Sequence, residues 1–123
     1  MFVRNIKDCM EITALDNCRL RELFNPLKDV LELNYSLAWA RVEKGKATAP
    51  HRLSSSEVYY IIQGGGTMHI SSEVRDVAAG EAVYIPPMAV QYIENTGDCE
   101  LVFVCMVEPA WRKEEDERVK ESK

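Results

Sequence analysis

Glycines, prolines and short polar clusters break the chain at close intervals between residues 45 and 107. The stretches between them are short and rich in valine, isoleucine and tyrosine. That cadence leaves no room for a long amphipathic helix and calls for a small antiparallel β-sandwich or barrel. The spacing predicts strands at 47–52, 57–63, 67–71, 74–77, 82–85, 91–95 and 100–107. Gly64, Gly65 and Gly66 offer positive φ for a tight hairpin, and "AAGEA" turns around Gly80. Pro86 and Pro87 cannot donate ladder bonds, so the chain leaves the sheet there. "NTGDC" reads as a further hairpin turn. In "GTMHIS", Met68 and Ile70 share one face, and alternation puts His69 on the outer one.

Upstream, residues 1–15 read as an extended arm. Asp16 or Asn17 can cap a short helix with Leu20, Leu23 and Phe24 on one face, stopped by Pro26. "DVLELNYSLAWARVEKG" then reads as one or two strands. The tail "WRKEEDERVKESK" is almost wholly charged. Its Glu114/Arg118 and Asp116/Lys120 pairs have helical spacing, so an exposed helix or a disordered end is expected, anchored by Trp111. The expected organisation is an arm with a short helix over 1–34, a β-barrel over 35–108 and a charged tail over 109–123.

The formal net charge is −5, with no basic stripe, which excludes nucleic acid as a partner. No apolar run approaches the ~20 residues of a membrane span, and "MFVRNIKDCMEITALDN" lacks the apolar core of a signal peptide. A cytoplasmic protein with no membrane partner is expected. The four cysteines form no C-x-x-C pair. Cys99 and Cys105 flank one strand at a separation of about 20 Å, too far to bridge. Reduced thiols are expected at all four, with Cys105 in the core.

The glycines and polar residues fall into a pattern. Gly45 is followed at fixed intervals by His51, Leu53, Glu57 and Gly64. Gly80 is followed by Pro86, Met88, Gln91 and Asn95. This pair of runs resembles the two motifs of the cupins, G-x5-H-x-H-x3,4-E-x6-G and G-x5-P-x-G-x2-H-x3-N. The resemblance spans 45–95, and with flanking strands about 35–108. It implies an all-β fold, a double-stranded β-helix (jelly roll), here with a short N-terminal helix and a charged C-terminal tail.

Metal-binding cupins place three His and one Glu at positions equivalent to 51, 53, 57 and 91. This chain keeps His51 and Glu57 but has Leu53 and Gln91 in place of two histidines, and Met88 in place of a motif glycine. The resemblance therefore leaves two functions open. One is a single-domain module binding a small molecule in a pocket of His51, Leu53, Glu57, Tyr59 and Gln91, with weak or absent metal binding. There His51 pairs with Glu57 by a charge-assisted hydrogen bond, Gln91 completes the network, and Arg41 or Arg52 is a further partner for Glu57. The other is a metal-dependent isomerase or decarboxylase of sugars or small acids, less favourably a dioxygenase. It would hold divalent Zn, Mn, Fe or Ni on His51, Glu57 and Gln91. Ser54, Ser55 and Ser56 belong to a turn, and Asn95 ties a turn by its side chain. The apolar runs "EVYYII" and "LVFVCMV" point to sheets covered on both faces, hence a homodimer with the 1–15 arm available for exchange.

Overall fold

The computed structural model describes residues 1–120. Its strands, in chain order, are Ile12–Thr13 (β1), Arg19–Phe24 (β2), Ser36–Val42 (β3), His51–Leu53 (β4), Ser56–Gln63 (β5) and Gly65–Ile70 (β6). They continue with Glu73–Ala78 (β7), Ala82–Ile85 (β8), Gln91–Glu94 (β9), Leu101–Glu108 (β10) and Asp116–Arg118 (β11). Two antiparallel sheets result, ordered β1-β2-β3-β10-β5-β8 and β11-β4-β9-β6-β7. The fold is the expected all-β jelly roll.

Strict alternation carries the packing. Along β3, Ser36, Ala38, Ala40 and Val42 are buried and the residues between them are half-buried. Along β5, Glu57, Tyr59 and Ile61 point inward while Val58, Tyr60 and Ile62 are exposed. Leu101, Phe103, Cys105 and Val107 do the same on β10. Ile61, Met68, Ile85, Ile93 and Leu101 belong to the core cluster, and Tyr59 stacks on Phe103 with ring centroids 4.3 Å apart. Each fully buried aliphatic or aromatic side chain there contributes roughly 1.5–3 kcal/mol of transfer free energy. His69 lies on the outer face, stacked on Tyr92 at 4.0 Å.

The motif glycines earn their places by backbone shape. Gly45, Gly64 and Gly80 all have positive φ. Met88, at the motif's missing glycine, keeps the left-handed conformation with φ 67° and donates its N–H to Leu53 O at 2.7 Å. Asn95 accepts from Gly97 N and donates to Val42 O and Cys99 O, as expected of a turn clamp.

The ends differ from the sequence reading. The N-terminal helical element is a single 3-10 turn at Ile6–Asp8, and the residues 19–24 expected as helix form β2. Asp16 and Asn17 use the same local hydrogen-bonding chemistry that caps helices to close a hairpin instead. Ala14 N donates to Cys18 O, Cys18 N donates to Asp16 Oδ1, and Asn17 takes φ 73°. Among the described residues the tail is not an exposed helix, and residues 121–123 of that expectation lie outside them. Asp116–Arg118 pair with β4 in register Asp116 to Leu53 and Arg118 to His51. Arg118 does not bridge to Glu114 but donates to Leu15 O at 2.5 Å and Asn17 Oδ1 at 2.6 Å. Both end segments are thus built into the sheets of the barrel.

Candidate functional site

The core fills one end of the barrel and leaves a cavity of about 480 Å³ at the other. Two alanines on β3 make the room: Ala38 faces Cys105 and Ala40 faces Phe103 across the β3–β10 pair, and all four line the cavity. Leu53, Tyr59, Val107 and Trp111 continue its wall, and residues 12–16 of the N-terminal hairpin form its roof.

Four of the five residues expected in the pocket, His51, Leu53, Glu57 and Tyr59, line this cavity. Gln91 is 1% exposed and lies behind them, its strand joined to β4 at the His51–Gln91 pair. From there its side chain reaches across to β5. Gln91 Nε2 donates to Glu57 Oε1 at 2.9 Å, and Tyr59 OH donates to Gln91 Oε1 at 3.0 Å. Arg41 and Arg52, expected as partners for Glu57, are engaged elsewhere. Arg41 grips Glu11 and Glu100, and Arg52 grips Glu117. The expected His51–Glu57 bond is also replaced. His51 Nδ1 lies 3.1 Å from Ala49 O and its Nε2 lies 3.7 Å from Asp16 Oδ2. A carbonyl oxygen only accepts, so Nδ1 carries a proton, and Nε2 faces Asp16.

Burial dominates the electrostatics. Removal from water pushes the Glu57 carboxyl up to about 8; nearby Asp16 and Asp116 push the same way, and the Gln91 amide only partly opposes them. Glu57 is therefore protonated at neutral pH. Burial likewise raises the Tyr59 hydroxyl and the Cys18 and Cys105 thiols, so neither cysteine offers a thiolate. Asp116 is also raised by burial, and one of its oxygens, Oδ1, is buried without a hydrogen-bond partner. Its other oxygen accepts from Trp111 Nε1 at 2.9 Å.

Asp16, Asp116, Cys18 and Phe103 are cavity residues that sequence reasoning missed. For Asp16 the signal was present, because Asp-Asn is a hairpin-turn dipeptide as well as a helix cap. Asp116 arrives through β11, which no apolar alternation announces. The three serines of the turn act structurally: Ser54 donates to Glu115, Ser55 to Pro109 O at 2.7 Å and Ser56 to Glu108 O at 3.2 Å.

The cupin resemblance implies a divalent metal at positions 51, 53, 57 and 91. An ion needs several lone pairs turned to one point. Leu53 has none and Gln91 spends its amide on Glu57 and Tyr59, which leaves one imidazole and one carboxyl. Among the described residues no group of three or more His, Cys, Asp or Glu could hold a metal ion. This donor set does not fit the ion.

Residues 38–107 match the sequence profile of the family described as Cupin domain. An uncharacterized protein of Methanocaldococcus jannaschii is 37% identical over 105 residues, which cover 83% of this chain and 82% of that protein. Among solved structures, the chain resembles a cupin 2 conserved barrel domain protein from Salinispora arenicola CNS-205. The TM-score is 0.76 at 18% identity, over 93% of this chain and 91% of that one. It resembles the polyketide cyclase RemF from Streptomyces resistomycificus with a TM-score of 0.79 at 16% identity, over 99% and 87%. An oxalate decarboxylase of Bacillus subtilis matches with a TM-score of 0.79 at 20% identity, over 93% of this chain but 30% of that one. At these identities the structural likeness is one of fold.

Proposed function

This chain belongs to the cupin family, and from that premise we propose that it binds a small organic molecule in the mouth of its barrel, with weak or absent metal binding. The observation that carries this reading is the side-chain chain Tyr59–Gln91–Glu57. It consumes the amide where a metal ligand would be needed, yet leaves Glu57 and His51 lining an otherwise mainly apolar cavity of about 480 Å³. A concave apolar site with few polar groups at its base is what small-molecule recognition requires. His51, Leu53, Glu57 and Tyr59 would contact the ligand, and Gln91 would hold Glu57 in place.

The test is metal analysis and native mass spectrometry of protein purified without chelator. The expected result is substoichiometric transition metal and a chain able to retain a small organic molecule. A stoichiometric ion that disappears in His51→Ala would sink the proposal and favour a metal-dependent isomerase or decarboxylase instead.

Two further readings belong here. The outer face of the six-stranded sheet exposes Val58, Tyr60, Ile62, Tyr84 and Met106, which supports pairing with a second copy of the chain. A monomer in sedimentation equilibrium at micromolar concentration would refute this. The four free cysteines suit a reducing cytoplasm. Among the described residues no helix is long and apolar enough to cross a membrane.

A further inference from the structure

Taking the barrel mouth as a ligand site, we infer that its ligand is an uncharged, mainly apolar ring compound that presents one hydroxyl to His51 and Glu57, and that small carboxylates are excluded.

The walls set the apolar body. Ala38, Ala40, Leu53 and Leu20 offer only hydrocarbon, and the stacked Tyr59–Phe103 pair, with planes 29° apart, offers aromatic surface against which a planar ring packs. The Tyr59 hydroxyl adds no free group, because it is spent on Gln91.

The polar end is set by two atoms. Glu57 Oε1 is taken by Gln91, and among the described residues no hydrogen bond reaches Oε2. His51 Nδ1 is taken by Ala49, and Nε2 lies beyond hydrogen-bond distance from Asp16. Both side chains line the cavity, and a ligand that displaces water from these two atoms must offer them a polar group in return. A ligand oxygen between them would meet that need. A hydroxyl both donates and accepts, so it can bond His51 Nε2 and Glu57 Oε2 whichever of them carries a proton.

Charge sets the exclusion. Asp16, Glu22, Glu57 and Asp116 line the cavity, with no arginine among the lining residues. Its two lysines are Lys28 and Lys113, and Lys28 is already paired with Glu22 at 2.8 Å. A carboxylate entering to the depth of His51 would shed water beside Asp16 and Asp116, in a lining that sets four acidic side chains against two lysines.

Equilibrium dialysis of the full chain with three probes that share one ring system tests this: 2-naphthol, naphthalene and 2-naphthoate, with oxalate as a fourth. We expect 2-naphthol to bind about five- to tenfold tighter than naphthalene, the worth of one or two net hydrogen bonds. It should bind at least tenfold tighter than 2-naphthoate, and oxalate should not bind at millimolar concentration. His51→Leu should bring 2-naphthol down to the level of naphthalene while naphthalene itself still binds, which doubles as a check that the variant folds. Ala40→Leu, or Ala38→Val should that variant fail to fold, should weaken all ring probes together. Equal or tighter binding of 2-naphthoate or oxalate overturns the charge exclusion while leaving the cavity as a ligand site. Equal binding of 2-naphthol and naphthalene overturns the polar contact. Failure of every probe overturns the ligand-site reading as well.

Discussion

Replacing Glu57 by glutamine should make the protein more stable at pH 8 and leave it nearly unchanged at pH 5. The ordinary glutamate value is 4.5, and burial raises Glu57 to about 8 in the folded state. Below 4.5 both folded and unfolded chains hold the proton, and the site adds no pH dependence. Between 4.5 and 8 only the folded state holds it, so stability falls as pH rises, by about 1.4 kcal/mol per unit for one proton. Integrated over that window the loss is on the order of 4 kcal/mol by pH 8, after which both states are ionised and the curve levels. Glutamine removes this titration. Its side-chain oxygen can still accept from Gln91, so the cost at pH 5 should stay within about 1 kcal/mol. The assay is urea unfolding of both proteins at pH 5, 6.5 and 8 with linear extrapolation. His51, Asp16 and Asp116 are present in both proteins, so the difference between the two curves isolates the carboxyl. Parallel curves, or a Glu57→Gln variant that is the weaker protein at pH 8, would refute the reasoning, since either would mean that Glu57 is stabilised as an anion.

Three further outcomes follow from single positions. Met88→Gly should raise the melting temperature, because Met88 bears a left-handed φ worth roughly 1–2 kcal/mol of strain, offset in part by the greater freedom glycine has when unfolded; an unchanged or lower midpoint contradicts it. Gly66→Ala should destabilise by about 2 kcal/mol or more in chemical unfolding, because its added Cβ would stand 2.3 Å from Glu94 O inside a paired strand. Leu53→His should raise affinity for Zn²⁺ or Ni²⁺ at least tenfold in a competition titration, because positions 51 and 53 share the inward face of β4 and a second imidazole there restores a strong donor; no gain would mean that the backbone no longer frames a metal site.

The barrel was legible because its signals are local. Glycine-marked turns delimit the strands, and alternation around Met68 and Ile70 fixes which face points inward without knowledge of the partner strand. The pocket residues His51, Leu53 and Glu57 came from the resemblance to the cupin motifs, and strand parity with Glu57 added Tyr59. Of the partners of those residues only Gln91, expected in the Glu57 network, was legible. Which group satisfies Glu57 depends on a cross-barrel distance, and the candidates nearest in sequence, His51 and Arg52, both turned elsewhere. Residues 19–24 were misread because Leu20, Leu23 and Phe24 fit a helical face as well as they fit a bulged strand, and the register of β2 against β3 does shift between Glu22 and Phe24. Asp116 was hidden for a different reason. A charged edge strand such as β11 is held by backbone pairing to β4 and by Arg118, so it needs no apolar pattern to announce it.

The substitutions at 53 and 91 and the proton on Glu57 form one physical change. A divalent ion held by imidazoles stabilises a buried carboxylate as an anion. An amide cannot, because the Gln91 N–H brings only a partial charge to Oε1 while Asp16 and Asp116 oppose ionisation. Once the histidine donors are leucine and glutamine, the cheapest counter-charge left for a carboxyl at 57 is a proton. The proton turns an ion ligand into a hydrogen-bond donor, and the Tyr59–Gln91 bond fixes the direction in which it faces. Restoring the donors should therefore reverse the protonation as well. In Leu53→His loaded with Zn²⁺, the fall in stability between pH 5 and 8 attributed to Glu57 should shrink, and its persistence at full strength would show that the ion and the carboxyl do not share a site.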